Sequence, residues 1–118
     1  VRRDGDIHKA VEEWLDDPVA AERRYGHISD WDVSRVTDMS KLFFTEYERD
    51  DGFNEDLSSW QTGNVTNMSQ MFRGASSFTS DLSQWQTGNV TNMQGMFEKA
   101  SSFNSDLSQW QTGNVKYM

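Results

Sequence analysis

Residues 61–85 laid over residues 86–110 agree at 20 of 25 positions. A chain that copies itself at this interval must satisfy one local structure several times over. Trp60, Trp85 and Trp110 mark the copies at intervals of 25, and Trp31 precedes Trp60 by 29, so the first copy carries four extra residues, placed most simply within residues 45–52. Residues 111–118 begin a further copy. A period of this length predicts an array in which each unit buries its apolar face only against its neighbours.

Inside one unit Val65, Met68, Met71, Phe72 and Ala75 are spaced as the apolar stripe of a short helix. Four of the five differences between copies, Ser69/Gln94, Gln70/Gly95, Arg73/Glu98 and Gly74/Lys99, fall on the opposite face of that helix; the fifth is Thr79/Asn104. Phe78, Leu82 and Trp85 read as extended chain, and Thr87-Gly88-Asn89 as a turn whose glycine suits a positive φ. The expectation is an α/β leucine-rich-repeat-like solenoid of 25-residue coils, with one helix and one short strand per coil. Parallel strands about 4.8 Å apart would turn each repeated residue into a ladder. Leu, Ile, Val and Phe make up only 22 of 118 residues, which by itself points toward disorder. The 5 Trp and 6 Met, most of them at recurring positions of the repeat, reverse that reading; each large buried side chain contributes roughly 1.5 to 3 kcal/mol.

The two ends differ. Ile7, Ala10, Val11, Trp14 and Leu15 form an amphipathic stripe that Asp4 or Asp6 would cap and that stops near Asp17-Pro18. A second helix from Pro18 has Asp17 as its cap and Gly26 as its stop. The chain therefore divides into a helical N-terminal cap, residues 1–27, and about three and a half repeats, residues 28–118. No cap follows the last copy, so Trp110 and open strand edges would stand exposed there; a truncated or continuing chain, or a partner, is expected at that end. The first residue is Val and no signal segment is visible, which suits a processed or partial chain. There is no Cys for a disulfide or a thiolate metal site, and no apolar run reaches the ~18 residues of a membrane span. The net charge of −8 lies wholly in residues 1–56, with 8 basic and 16 acidic side chains; residues 57–118 carry 3 of each. Of those last 62 residues, 30 are Ser, Thr, Asn or Gln, a surface without the clustered Lys and Arg that nucleic acid requires.

Trp31-Asp-Val-Ser-Arg-Val-Thr-Asp-Met39 and the run Asn64-Val-Thr-Asn-Met-Ser-Gln-Met-Phe72, followed by Ala75, Phe78, Asp81-Leu82-Ser83 and Trp85, resemble the BspA-type leucine-rich repeats of bacterial and mycoplasma surface lipoproteins and of many protist and algal proteins. The resemblance covers residues 28–118. It implies a curved solenoid with a strand and a helical segment per turn, serving as an extracellular, cell-surface, adhesive or protein-binding scaffold, and it implies no catalytic residue. The first unit departs from the pattern in its insertion with Phe44 and Tyr47 and in Arg35; the last departs at Lys116-Tyr117.

Asp56, Asp81 and Asp106 recur at the repeat interval. Carboxylates about 5 Å apart repel by roughly 1 kcal/mol in water, so calcium, turn N–H donors or solvation must compensate. The structural or solvated readings outweigh the metal. Rows of Thr and Asn, from Thr62 and Asn64 through Thr112 and Asn114, would suit ice or surface binding if laid on a flat face; turn bonding and helix capping explain them more simply. Asn64, Asn67 and Asn89 fit the glycosylation pattern, which a structural Asn-x-Thr repeat generates for free. The single histidines His8 and His27, and the acid pairs Glu12-Glu13 and Asp16-Asp17, make no catalytic set. Phe44 and Tyr47 in the insertion, with Trp110 and Tyr117 near the open end, are the candidate protein-binding residues. The expected function is a non-catalytic repeat scaffold without cofactor or metal. It would bind protein at a cell surface or within a larger complex, an organelle assembly included, with ice or surface binding as the alternative.

Overall fold

The computed structural model describes residues 2–45 and 52–118; Tyr47 and most of the insertion lie outside the described residues. Two helices open the chain: α1 (Asp4–Asp16) and α2 (Pro18–Tyr25). The buried stripe of α1 is Ile7, Ala10, Val11 and Trp14. Its entry is fixed by the Arg3 N–H, which donates to the Asp6 carboxylate at 2.7 Å, so Asp6 closes the first turn and Asp4 is free for another task. Asp17 accepts from the Ala20 N–H at 3.2 Å at the start of α2, and Gly26 ends α2 with φ of 81°, a conformation that costs glycine little. A 3-10 turn, Ile28–Asp30, leads to Trp31.

The α/β leucine-rich-repeat-like solenoid is not what the repeats form. Among the described residues both α-helices lie in the first 25 positions, and no strand or sheet follows them. Among the described residues the only extended pairings are the isolated parallel bridges Asp38↔Asn67, Asn67↔Asn92 and Asn92↔Tyr117. The molecule is small, with principal extents of 39 × 32 × 21 Å. The helix expected after Val65 is broken because Lys41, Gln70 and Gly95, one per copy, all take positive φ of 55° to 63°. A left-handed residue cannot continue a right-handed helix. Alternate N–H groups instead close local three-residue turns, such as Met71 to Met68 O and Arg73 to Gln70 O, while those between them donate to the following copy.

Successive copies nevertheless meet in register. Phe43, Phe72 and Phe97 stack with ring centroids 5.4 and 5.7 Å apart and planes within 4°. Phe53, Phe78 and Phe103 form a second column at 6.0 Å, and Trp60 lies over Trp85 at 6.5 Å and 3°. Met39, Met68 and Met71 are fully buried beside them. Stacked turns, not sheet layers, therefore carry the core.

Candidate functional site

The contact between copies is a fixed set of directional bonds. From the second copy to the third, the N–H groups of Met68, Gln70, Phe72 and Gly74 donate to the carbonyls of Asn92, Gln94, Met96 and Glu98 at 2.8 to 2.9 Å. The first copy does the same with Met39, Lys41, Phe43 and Thr45 toward Asn67, Ser69, Met71 and Arg73. In the reverse sense, each tryptophan indole donates 2.9 Å to the carbonyl of the copy before: Trp60 to Ile28, Trp85 to Leu57 and Trp110 to Leu82. Asn89 and Asn114 donate their side-chain amides to the Gly63 and Gly88 carbonyls at 2.7 Å, and the Leu57 and Leu82 N–H groups donate to the hydroxyls of Ser80 and Ser105.

The first copy has no predecessor, and Asp4 takes its place. The Thr66 and Asn67 N–H groups both donate to the Thr37 carbonyl, whereas the Thr37 and Asp38 N–H groups donate to the Asp4 carboxylate at 2.7 and 3.1 Å. The Thr37 hydroxyl also donates to Asp4, as the Thr66 hydroxyl does to Thr37 O. The Thr37 hydroxyl, before all else, holds the Asp4 carboxyl below its ordinary value. His8 ties α1 down further, its Nε2–H donating to the Ser40 carbonyl at 2.8 Å.

The third copy has the opposite fate. Residues 111–118 cover part of it, with the Met93 N–H donating to Tyr117 O. Beyond that bond no following carbonyls stand before the Gly95 and Phe97 N–H groups, no hydroxyl meets the Leu107 N–H, and no indole reaches the Leu107 carbonyl among the described residues. Side chains buried in the second copy are only partly covered here: Phe72, Phe78 and Leu82 are wholly buried, while Phe97, Phe103 and Leu107 are partly buried. Met93, Met96, Phe97, Leu107, Trp110 and Met118 line an apolar groove of about 540 Å³. Apolar walls with a few convergent polar groups are the usual composition of a binding surface.

Of the residues singled out in the sequence, Trp110 lies in this groove. Tyr117 is near it, its backbone bonded to the third copy and its ring exposed. Phe44 sits apart, half-buried, with Lys41 Nζ and the Arg73 guanidinium 5.8 and 5.5 Å from its ring centroid. Asp56, Asp81 and Asp106 are exposed, and each accepts the N–H of the serine two residues on, Ser58, Ser83 and Ser108, at 2.9 Å. Those bonds depress all three carboxyls: the serine hydroxyl is the leading cause at Asp56, the backbone N–H at Asp81 and Asp106. His27 Nδ1 accepts the Ser29 N–H at 3.1 Å in the same way. No group of three or more His, Cys, Asp or Glu among the described residues is placed to hold a metal ion. The Thr66 and Thr91 hydroxyls donate inward to the preceding copy, so the Thr row is occupied with joining copies. Sequence reasoning missed Met93, Met96, Phe97, Leu107 and Met118; the available signal was that their counterparts Met68, Met71, Phe72 and Leu82 are core residues one copy earlier.

Among the described residues no helix is long and apolar enough to cross a membrane. Searches of curated proteins and of solved structures find no match. A family model does match, over residues 17–118, from the start of α2 through every repeat; the chain belongs to the family described as "Mycoplasma protein of unknown function, DUF285".

Proposed function

We propose that this protein is a non-catalytic repeat scaffold whose third copy offers its open face to a protein partner or to further repeats of the same chain. The observation that carries this reading is the contrast between equivalent positions: the apolar side chains and N–H groups that the second copy buries and pairs are left open in the third, around the groove at Trp110. Both histidines are engaged in structural bonds, His8 to Ser40 O and His27 to the Ser29 N–H. This supports a role in holding rather than in transforming a ligand. The likeness of the repeats to BspA-type surface repeats supports a setting at a cell surface or in a peripheral assembly.

A positional cross-linking experiment tests the proposal. A photo-reactive residue at position 118, where Met118 is 74% exposed, is compared with one at position 19, where Val19 on α2 is 64% exposed. In native cell extract, position 118 should yield a discrete protein adduct and position 19 should not. Equal labelling from both positions, or none from position 118, would refute the assignment.

A further inference from the structure

The side of the array carries a second groove, of about 510 Å³, that does not depend on the end face. It draws on Gly63, on residues 83–89 and on Gln109 and Gln111, so it crosses three successive levels of the stack. Gln61, Gln84 and Gln86 stay exposed although a following copy already lies against their own. A further copy would therefore lengthen this groove and leave its lining as it is. We infer that the groove binds a neutral, extended polysaccharide, a chain of pyranose sugars lying along the stacking direction.

No side chain lining the groove is charged, so it offers neither the cations that a phosphate or nucleic acid needs nor the carboxylates that a metal ion needs. The backbone at its glutamines is already used. The Gln86 N–H donates to the Thr62 hydroxyl at 3.0 Å, and that hydroxyl donates to the Gln86 carbonyl at 3.1 Å. Gln111 and Thr87 repeat the pair at 2.9 and 3.2 Å. These positions leave no free edge for an extended peptide to join. What faces the groove is carboxamide: the side chains of Gln84, Gln86, Gln109 and Gln111 are exposed and make no hydrogen bond to the described residues. Each carboxamide both donates and accepts, and a sugar hydroxyl, itself donor and acceptor, meets it in either sense. Glycine makes room for one of these rows. Gly63 and Gly88 take no positive φ, so the backbone does not require glycine there, contrary to the expectation for Thr87-Gly88-Asn89. The space is used by the next copy: a Cβ on Gly63 would lie 2.5 Å from Gln86 Oε1, and one on Gly88 3.1 Å from Gln111 Oε1. Each amide is thereby laid across the level before it. The parallel bridges at Asn67, Asn92 and Tyr117 set the levels about 4.8 Å apart. Rows of amides at that interval suit a straight β-1,4-linked chain, which advances by a comparable distance per ring, whereas a coiled α-linked chain turns away from the rows. The aromatic residue in the lining, Trp85, is 3% exposed, so no ring platform adds to the contact and affinity accumulates along the sugar chain.

The test follows the glutamine side-chain amide signals of the 118-residue protein while β-1,4-linked hexasaccharides of glucose, mannose and N-acetylglucosamine are added in turn. At least one should shift the amides of Gln84, Gln86, Gln109 and Gln111. Those of Gln70 and Gln94, and the methyl signals of Met93, Met96 and Met118 at the end face, should stay in place. The same hexasaccharide should bind about tenfold or more tightly than its own disaccharide. The double variant Gln84→Ala/Gln109→Ala, at two exposed positions, should weaken binding about tenfold. Gly63→Ala displaces only the end of the Gln86 side chain; it should weaken binding about threefold with little change in Tm. A β-1,4-linked hexasaccharide of mannuronate should not bind, because the protein carries a net charge of −8 and the groove has no cation to meet the carboxylates. No shift with any of the three neutral chains would overturn the inference, as would equal affinity for disaccharide and hexasaccharide, full binding by the double variant, or shifts confined to Met93, Met96 and Met118. Failure here would leave the role proposed for the third copy's face standing, since none of these glutamines belongs to it.

Discussion

Trp85 and Trp110 occupy the same position of the repeat, follow the same Gln and make the same 2.9 Å indole bond to a leucine carbonyl one copy earlier. They differ in their neighbours. Trp85 is 3% exposed, whereas Trp110 borders the open groove and is only partly buried. Truncating a fully buried tryptophan costs about 3 to 5 kcal/mol, of which a hydrogen bond accounts for about 1 kcal/mol. Trp85→Ala should therefore cost about 4 kcal/mol. Trp110→Ala loses the same hydrogen bond but only about two thirds as much burial, giving about 3 kcal/mol. The difference of about 1 kcal/mol is roughly fivefold in the unfolding equilibrium. A chain of this size has roughly 6 to 18 kcal/mol of total stability, so both variants fall within range of a urea titration followed by near-ultraviolet circular dichroism. The midpoint should drop about a third further for Trp85→Ala than for Trp110→Ala, with the slope against urea unchanged in both. Equal losses at the two positions would refute the claim that coverage by the next copy is what buries these rings. A slope that halves for Trp85→Ala would mean that copies unfold separately, and would refute their coupling.

Gly74 has φ of 78°, and a Cβ there would lie 2.5 Å from the Thr45 carbonyl oxygen; Gly74→Ala should cost about 2 kcal/mol or more, while Gly113→Ala, with nothing within 4 Å, should stay within about 0.5 kcal/mol in the same titration. Asp4→Ala removes the acceptor shared by the Thr37 and Asp38 N–H groups; it should cost about 1 kcal/mol and speed amide exchange at those two residues, with Asp4→Asn intermediate. The carboxyls of Asp56, Asp81 and Asp106 are all depressed in the folded protein by their serine bonds. A folded value below the unfolded one means that the stabilisation is present above about pH 4 and is lost as pH falls through the folded values. Tm should be level above about pH 5 and decline below about pH 4, and the triple Asp→Asn variant, whose amide oxygens still accept the serine N–H, should flatten that decline.

The interval of the repeat, the register of its aromatic columns and both cap helices could be read from the residues, because periodic tryptophan, the α1 stripe, Asp17 and Gly26 each act through one local rule. The internal structure of a unit could not. Val65, Met68, Met71, Phe72 and Ala75 are spaced as a helix face, yet a chain of linked tight turns brings the same five side chains to one side. What decides between them is the left-handed residue at Lys41, Gln70 and Gly95. Its one trace in the sequence is that the third copy places glycine there, a substitution easily taken for surface drift. The parallel bridges fall at Asp38, Asn67, Asn92 and Tyr117, within the stretch whose apolar spacing predicts a helix. At the end face, the individual residues were legible only as core. Their partial exposure reflects position among the described copies and not residue type. Asp4 was legible as a helix cap and instead substitutes for a backbone carbonyl, a long-range role that no local pattern encodes.

That substitution gives the molecule a chemically marked beginning. Asp4 is synthesised before the described repeats, so its carboxylate is present on the chain when Thr37 and Asp38 emerge. Each later unit then meets a finished surface instead of a disordered one. Order of synthesis and order of docking coincide, and a nascent chain stalled between units would display, at each stage, an end face of the kind that borders Trp110 among the described residues.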